Sequence, residues 1–193
     1  YDARGNLTSI RRKGTSPNPD LVTSFTYETR FNQIKTIQDP RGNTTTYTYD
    51  YELNEGSWGN LRKITFPSVE GGMIESLFTY NAFGQILTST DPNGHVTKYE
   101  YDPATGYLLR VIQGFGSPDQ AASHMGYDAL GNVTSLTDPR GNVTQFQYDT
   151  SNKLTLMTAP APFSFTTRYV YDLNGNLLRL ERQAPSGTQN TSY

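Results

Sequence analysis

One word recurs along this chain at a spacing that leaves little choice of fold. Tyrosine followed by aspartate stands at Tyr1, Tyr49, Tyr101, Tyr127, Tyr148 and Tyr171, and the degenerate copies Tyr27-Glu28 and Tyr80-Asn81 complete the series. The eight tyrosines are separated by 26, 22, 31, 21, 26, 21 and 23 residues. A second word trails the first, as in Gly5-Asn6-Leu7, Gly59-Asn60-Leu61, Gly131-Asn132-Val133 and Gly175-Asn176-Leu177. Such a period holds two strands of ~7 residues and two turns of ~4, but leaves no room for helices of ordinary length. The chain is therefore predicted to be all-β, an array of consecutive antiparallel β-hairpins. It comprises about eight repeats over residues 1–193, beginning near those eight tyrosines.

The segments entering the Tyr-Asp word alternate as half-buried strands do. Thr45, Tyr47 and Tyr49 share one face, Thr44, Thr46 and Thr48 the other, and Thr97, Tyr99, Tyr101 and Thr144, Phe146, Tyr148 repeat the pattern. These aromatic residues are expected to stack as ladders across neighbouring strands. On the return segments, Leu7/Ile10, Ile34/Ile37, Leu61/Ile64, Val133/Leu136 and Leu177/Leu180 are spaced by three, a helical interval. A bulge, or burial of both faces, reconciles this spacing with a strand.

A third word, Asp-Pro-Arg-Gly-Asn, is spelled identically from Asp39 and from Asp138, with Asp91-Pro92-Asn93-Gly94-His95 between them. Asp at the first position, Pro at the second and Gly at the fourth are the residues of a type I turn followed by a left-handed residue. Tyr-Asp-x-x-Gly has the same chemistry without the proline, and Asn32 and Asn152 stand where the glycine is missing. Asparagine is the other residue that tolerates positive φ, so the slot asks for a backbone angle rather than a ligand contact.

That reading governs the search for chemistry. Of 11 aspartates, nine (Asp2, Asp39, Asp50, Asp91, Asp102, Asp128, Asp138, Asp149 and Asp172) open such turns, leaving Asp20 and Asp119 in Pro-rich loops. Turn capping is favoured over paired catalytic carboxylates. His95 sits in a turn word and His124 is placed in a loop over 114–126; neither has metal-ligand spacing. No nucleophile elbow or phosphate loop occurs, and Gly71-Gly72 matches neither. No catalytic, cofactor-binding or metal residue is assigned, and no cofactor is expected. A net charge of −2 supplies no basic surface for nucleic acid, and the absence of cysteine excludes disulfides and thiolate-bound metal. No apolar run reaches the ~18 residues of a membrane span, and no signal peptide is legible. Trp58 and the aromatic ladders offer flat rings to sugars, against the plainer reading that they pack the sheet.

The two words, seen most fully from Tyr127 to Asp149, resemble the YD repeats of the Rhs family, which includes bacterial polymorphic toxins, shell-forming C components of insecticidal toxin complexes and animal teneurins. The resemblance covers nearly the whole chain. It implies a curved sheet or a segment of a β-spiral shell that encloses or carries a toxin domain, in a secreted or cell-surface protein. The family's self-cleaving core and toxin domain have no counterpart in these residues. The expected role is a non-enzymatic wall segment whose partners are neighbouring repeats and an enclosed toxin domain. The alternative is a cell-surface carbohydrate- or protein-binding module.

Laid out as a meander, the Tyr-Asp turns fall on one edge of the sheet. The other edge alternates tight turns at Asp39, Asp91 and Asp138 with long loops over 11–24, 66–76, 113–125 and 158–167. The chain reads as an excerpt of a longer array, since Tyr193 follows Tyr171 by 22 residues, one repeat length. Its unpaired end strands, residues 1–12 and 177–193, carry Arg11, Arg12, Lys13, Arg179, Glu181 and Arg182 and should associate only weakly. The turn reading predicts that Gly141→Val destabilises the protein by ~1–2 kcal/mol or more, while Gly141→Asn is nearly tolerated. Denaturant melts of the two variants check this, and equal losses would refute the turn.

Overall fold

The computed structural model describes every residue except 69–71, 73, 185, 186 and 193, and the side chain of Ala184. Gly71 of the Gly-Gly pair, part of the 66–76 loop and Tyr193 thus lie outside the described residues. Among the described residues sixteen strands follow one another: β1 (Ser9–Arg12), β2 (Leu21–Tyr27), β3 (Ile34–Gln38), β4 (Thr44–Tyr49), β5 (Leu61–Phe66), β6 (Ile74–Tyr80), β7 (Ile86–Thr90), β8 (Val96–Tyr101), β9 (Leu108–Gln113), β10 (Ala121–Tyr127), β11 (Val133–Thr137), β12 (Val143–Tyr148), β13 (Leu154–Thr158), β14 (Thr166–Tyr171), β15 (Leu177–Ala184) and β16 (Gly187–Ser192). A single 3-10 turn, Asp50–Glu52, is the only helical element among them. The chain divides into two units, Tyr1–Thr97 and Lys98–Tyr193. Within each, every strand pairs antiparallel with its neighbours in sequence, so the fold is the expected array of hairpins.

Bulges explain the spacing of three. Tyr127 stands opposite Val133 and Gly126 opposite Ser135, so Thr134 is an extra residue on the return strand, and Met125 then meets Leu136. Cross-strand partners share a face, which puts Val133 and Leu136 on the side of Tyr127 despite their interval. Lys35, Arg62, Leu87, Leu109, Thr155 and Leu178 are the extra residues of the other Tyr-Asp hairpins. The registers also correct one expectation. Tyrosines face aliphatic residues, as in Tyr49 opposite Leu61 and Tyr47 opposite Ile64, and the ladders do not stack ring on ring. The return strands β3, β5, β9, β11 and β13 each lie between two strands that carry aromatic residues.

The tyrosine hydroxyls have a second task. Between hairpins the ladder stops short: β3 and β4 pair no further than Thr36 opposite Thr46, although β4 runs on to Tyr49. The Ile34 carbonyl lies beyond that last pair, and the Tyr49 hydroxyl donates to it at 2.6 Å. The same bond joins Tyr27 to Leu7, Tyr80 to Leu61, Tyr127 to Leu108, Tyr148 to Val133 and Tyr171 to Leu154, at 2.7–2.9 Å. A partly buried carbonyl without water or a ladder partner is costly, and the phenol supplies the missing donor.

The long loops are shorter than expected. Arg11 pairs with Val22 and Ser9 with Ser24, which leaves residues 13–20 as loop; 114–120 and 159–165 are similarly trimmed by strand pairing. His124 falls within β10, opposite Arg110 and Thr137, not in a loop. Leu177–Ala184 pairs on both sides, so Arg179, Glu181 and Arg182 stand one strand in from β16.

Only Tyr49, Ile112 and Leu180 are buried apolar residues among those described, as a single-layer sheet dictates. Tyr148→Phe should therefore cost ~1–3 kcal/mol by orphaning the Val133 carbonyl. Tyr169→Phe, whose hydroxyl makes no hydrogen bond among the described residues, should be nearly neutral. Urea midpoints of the two variants compare them directly, and equal effects would remove the bond from the account.

Candidate functional site

The side chains that could do chemistry gather in the turns, most of them on the edge that carries the Tyr-Asp words. Each short turn is built alike. The Asp128 amide donates to the Asn132 carbonyl (3.0 Å) and the Gly131 amide to the Asp128 carbonyl (3.2 Å). The carboxylate accepts the Leu130 and Asn132 amides at Oδ1 and the Asn132 side chain at Oδ2, all at 2.9 Å. Glycine φ values of 88° at Gly131, 87° at Gly42 and 84° at Gly141, with 60° at Asn32 and Asn152, are the left-handed angles that the words required. The terminal Asn belongs to the words quoted from the sequence, but its role was not read from them. Its recurrence two places after the variable positions was the available signal, and its amide occupies the second carboxylate oxygen.

The turn carboxylates are therefore committed. The Asn amides beside Asp2, Asp39, Asp128, Asp138 and Asp172 hold these carboxyls below their usual range. At Asp91 the His95 amide and ring do the same, the ring nitrogen lying 3.0 Å from Oδ2. Two carboxylates are buried. Burial works to raise Glu28 and Asp50, yet backbone amides of Gln33, Arg30 and Phe31 on one, and Trp58, Gly59 and Tyr51 on the other, leave both lowered. Burial also pushes the Tyr49 hydroxyl up to about 12, so it remains a donor at any ordinary pH.

The longest turn, residues 50–60, packs on its neighbour. Tyr51 stacks with Tyr49 at 6.1 Å and meets Phe31 at 5.6 Å, and the Arg30 guanidinium lies over both Phe31 and Tyr51. Trp58, singled out in the sequence, is 75% exposed, and Phe83 on the next Tyr-Asp turn is 83% exposed. Asp20 accepts the Gly14 amide and faces Arg11. Among the described residues no three His, Asp or Glu side chains stand together as metal ligands, and no helix is long and apolar enough to cross a membrane.

Fold and edge together define a β-hairpin repeat protein whose Tyr-Asp words are structural. Residues 80–117 and 127–162 match the family described as RHS Repeat. Those two stretches are similar to Rhs, or YD, repeats, and the same words recur in the sequence on either side of them. It is 32% identical over 124 residues, 64% of its length, to the double-stranded DNA deaminase toxin A of Burkholderia cenocepacia (strain H111), of which it spans 7%. Its fold is similar to parts of the TcdB2-TccC3-Cdc42 crystal structure (TM-score 0.71, 21% identity, 91% of this chain and 10% of that one). The Photorhabdus luminescens Tc holotoxin pore gives the same result (0.70, 21%, 90% and 10%).

The committed carboxylates predict acid sensitivity. Their folded-state pKa values lie below the unfolded ~3.9, so their contribution is complete above that value and is lost as pH falls below it. Stability measured from pH 6 to pH 2 should drop only in the last units. Asp138→Asn should make the drop shallower, and an unchanged acid limb would refute the assignment.

Proposed function

We propose that this chain is a non-enzymatic wall segment of an Rhs-type shell that encloses or carries a toxin domain, in a secreted or cell-surface protein. On this reading residues 1–193 comprise about eight hairpin repeats, beginning near Tyr1, Tyr27, Tyr49, Tyr80, Tyr101, Tyr127, Tyr148 and Tyr171. The observation that carries this reading is the use of the Tyr-Asp residues. Hydroxyls that could do chemistry are spent on joining hairpin to hairpin, and carboxylates and amides on holding the turns. The matched relative is named for deaminase activity. Zinc deaminases hold their metal through His and Cys, and this chain has no cysteine, with His95 and His124 on separate elements. The segment thus supports a carried activity rather than performing it.

Exposed Trp58 and Phe83 favour a second reading, a surface module that holds a glycan or protein ligand. The readings separate on two measurements. Screens of the chain for deaminase, nuclease, esterase and glycosidase turnover should match buffer, and turnover abolished by one Asp→Asn change would overturn the wall role. Glycan-array binding lost in Trp58→Ala would promote the binding module instead.

A further inference from the structure

We infer that the last residue of each Tyr-Asp turn and the left-handed residue of the next Tyr-Asp turn form a matched pair, which decides what kind of hairpin can stand beside a given one. Six such pairs lie inside the two units. Where the left-handed residue is Asn, the preceding turn ends in Asn and the amides bond. Asn6 and Asn32 exchange hydrogen bonds of 2.7 and 2.8 Å, and Asn132 donates to Asn152 at 3.0 Å. Where it is Gly, a bulkier group covers the bare Cα in three of four cases. A methyl group at Gly131 would sit 2.5 Å from the Tyr107 hydroxyl. One at Gly59 would lie 3.2 Å from Gln33 Oε1 and 3.0 Å from the Phe31 ring, and one at Gly175 would strike Lys153 Nζ. Asn60 over Gly84 is the loosest match, at 3.7 Å.

The opposite edge is the internal control. Gly42, Gly94 and Gly141 have the same φ, between 84° and 87°, and nothing within 4 Å of a methyl group placed on them. There the backbone angle alone calls for glycine, whereas on the Tyr-Asp edge a neighbouring side chain adds a second demand at the same angle. Some of these glycines also make room for the neighbouring turn's last side chain. A turn ending in Asn accepts a following turn with Asn at the left-handed position. A turn ending in Tyr favours Gly there most strongly, because its ring occupies the space that an Asn amide would need; the ends of Gln33 and Lys153 lie over their glycines too, but can shift.

The rule is tested by a double-mutant cycle on the intact chain, read as urea midpoints. Gly131→Ala is expected to lower the folding constant about five- to thirtyfold more than Gly141→Ala, since the Tyr107 ring is held against Tyr127 and cannot swing away. Tyr107→Asn combined with Gly131→Asn builds the amide pair found at Asn6 and Asn32. The double variant should be more stable than the two single losses add to. A second cycle, Asn132→Ala with Asn152→Gly, uses exposed amides and stays readable if the first set fails to fold. Coupling in either cycle supports the pairing. Strict additivity in every cycle that folds, or equal costs at Gly131 and Gly141, overturns it.

Discussion

A hydroxyl reaching a carbonyl across the end of a β-ladder is the contact on which this fold depends. Backbone pairing is sufficient within a Tyr-Asp hairpin, where a turn fixes the register. Between hairpins it fails at the Tyr-Asp edge, because the bulged return strand runs out of partners before the incoming strand ends. The tyrosine closes that gap with one bond per junction, to Leu7, Ile34, Leu61, Leu108, Val133 and Leu154 in six of the junctions. Its ring meanwhile packs against the aliphatic residue opposite. Phenylalanine would retain the packing and lose the bond, which accounts for tyrosine at these six positions.

Aspartate follows tyrosine for a related reason. A turn one residue past the tyrosine must place the return strand so that its first carbonyl faces the next tyrosine. The carboxylate fixes that geometry by holding the amides two and four residues on, and the terminal Asn amide holds the carboxylate. Charge is useful here, since an ionised acceptor makes stronger bonds to several amides than a neutral one. Asn81 shows the limit of the rule: its Oδ1 accepts the Phe83 and Gln85 amides without any charge.

Much of this was legible in the sequence. Period, turn words and left-handed positions specify strands and turns because each depends on local chemistry alone. A bulge was one of two readings that Val133/Leu136 and its counterparts allowed, the other being burial of both faces, since an interval of three is inconsistent with a regular strand. What could not be read were contacts between repeats. The aromatic residues look like ladders in sequence, yet Tyr49 meets Leu61, because strand order interposes an aliphatic strand. The loops looked long because Arg11, Arg12 and Leu21–Ser24 carry no strong alternation, yet they pair by extending a hairpin already begun. The tyrosine-to-carbonyl bond leaves no trace beyond the tyrosine, for its acceptor is backbone and any residue can supply it.

The two edges of the array consequently answer differently to insertion. On the edge with long loops, residues 13–20, 114–120 and 159–165 are close in length but share no sequence word and close with different bonds: the Gly14 amide on Asp20, the Ser117 amide on the Gly114 carbonyl and the Ala159 amide on the Phe165 carbonyl. The Tyr-Asp edge tolerates a long insertion only by remaking its contacts. Residues 50–60 are the example. The Asp50 carboxylate reaches past the inserted residues to the Trp58 and Gly59 amides, and the Asp50 amide still finds the Asn60 carbonyl. Gly59 recovers the left-handed angle, at 80°, and Tyr51 fills the space beside Phe31. The insertion ends as a five-residue turn does, with Gly-Asn-Leu, and the Leu61 carbonyl is in place for Tyr80. An array can thus vary along one margin while the other preserves the joint from which each next hairpin is hung.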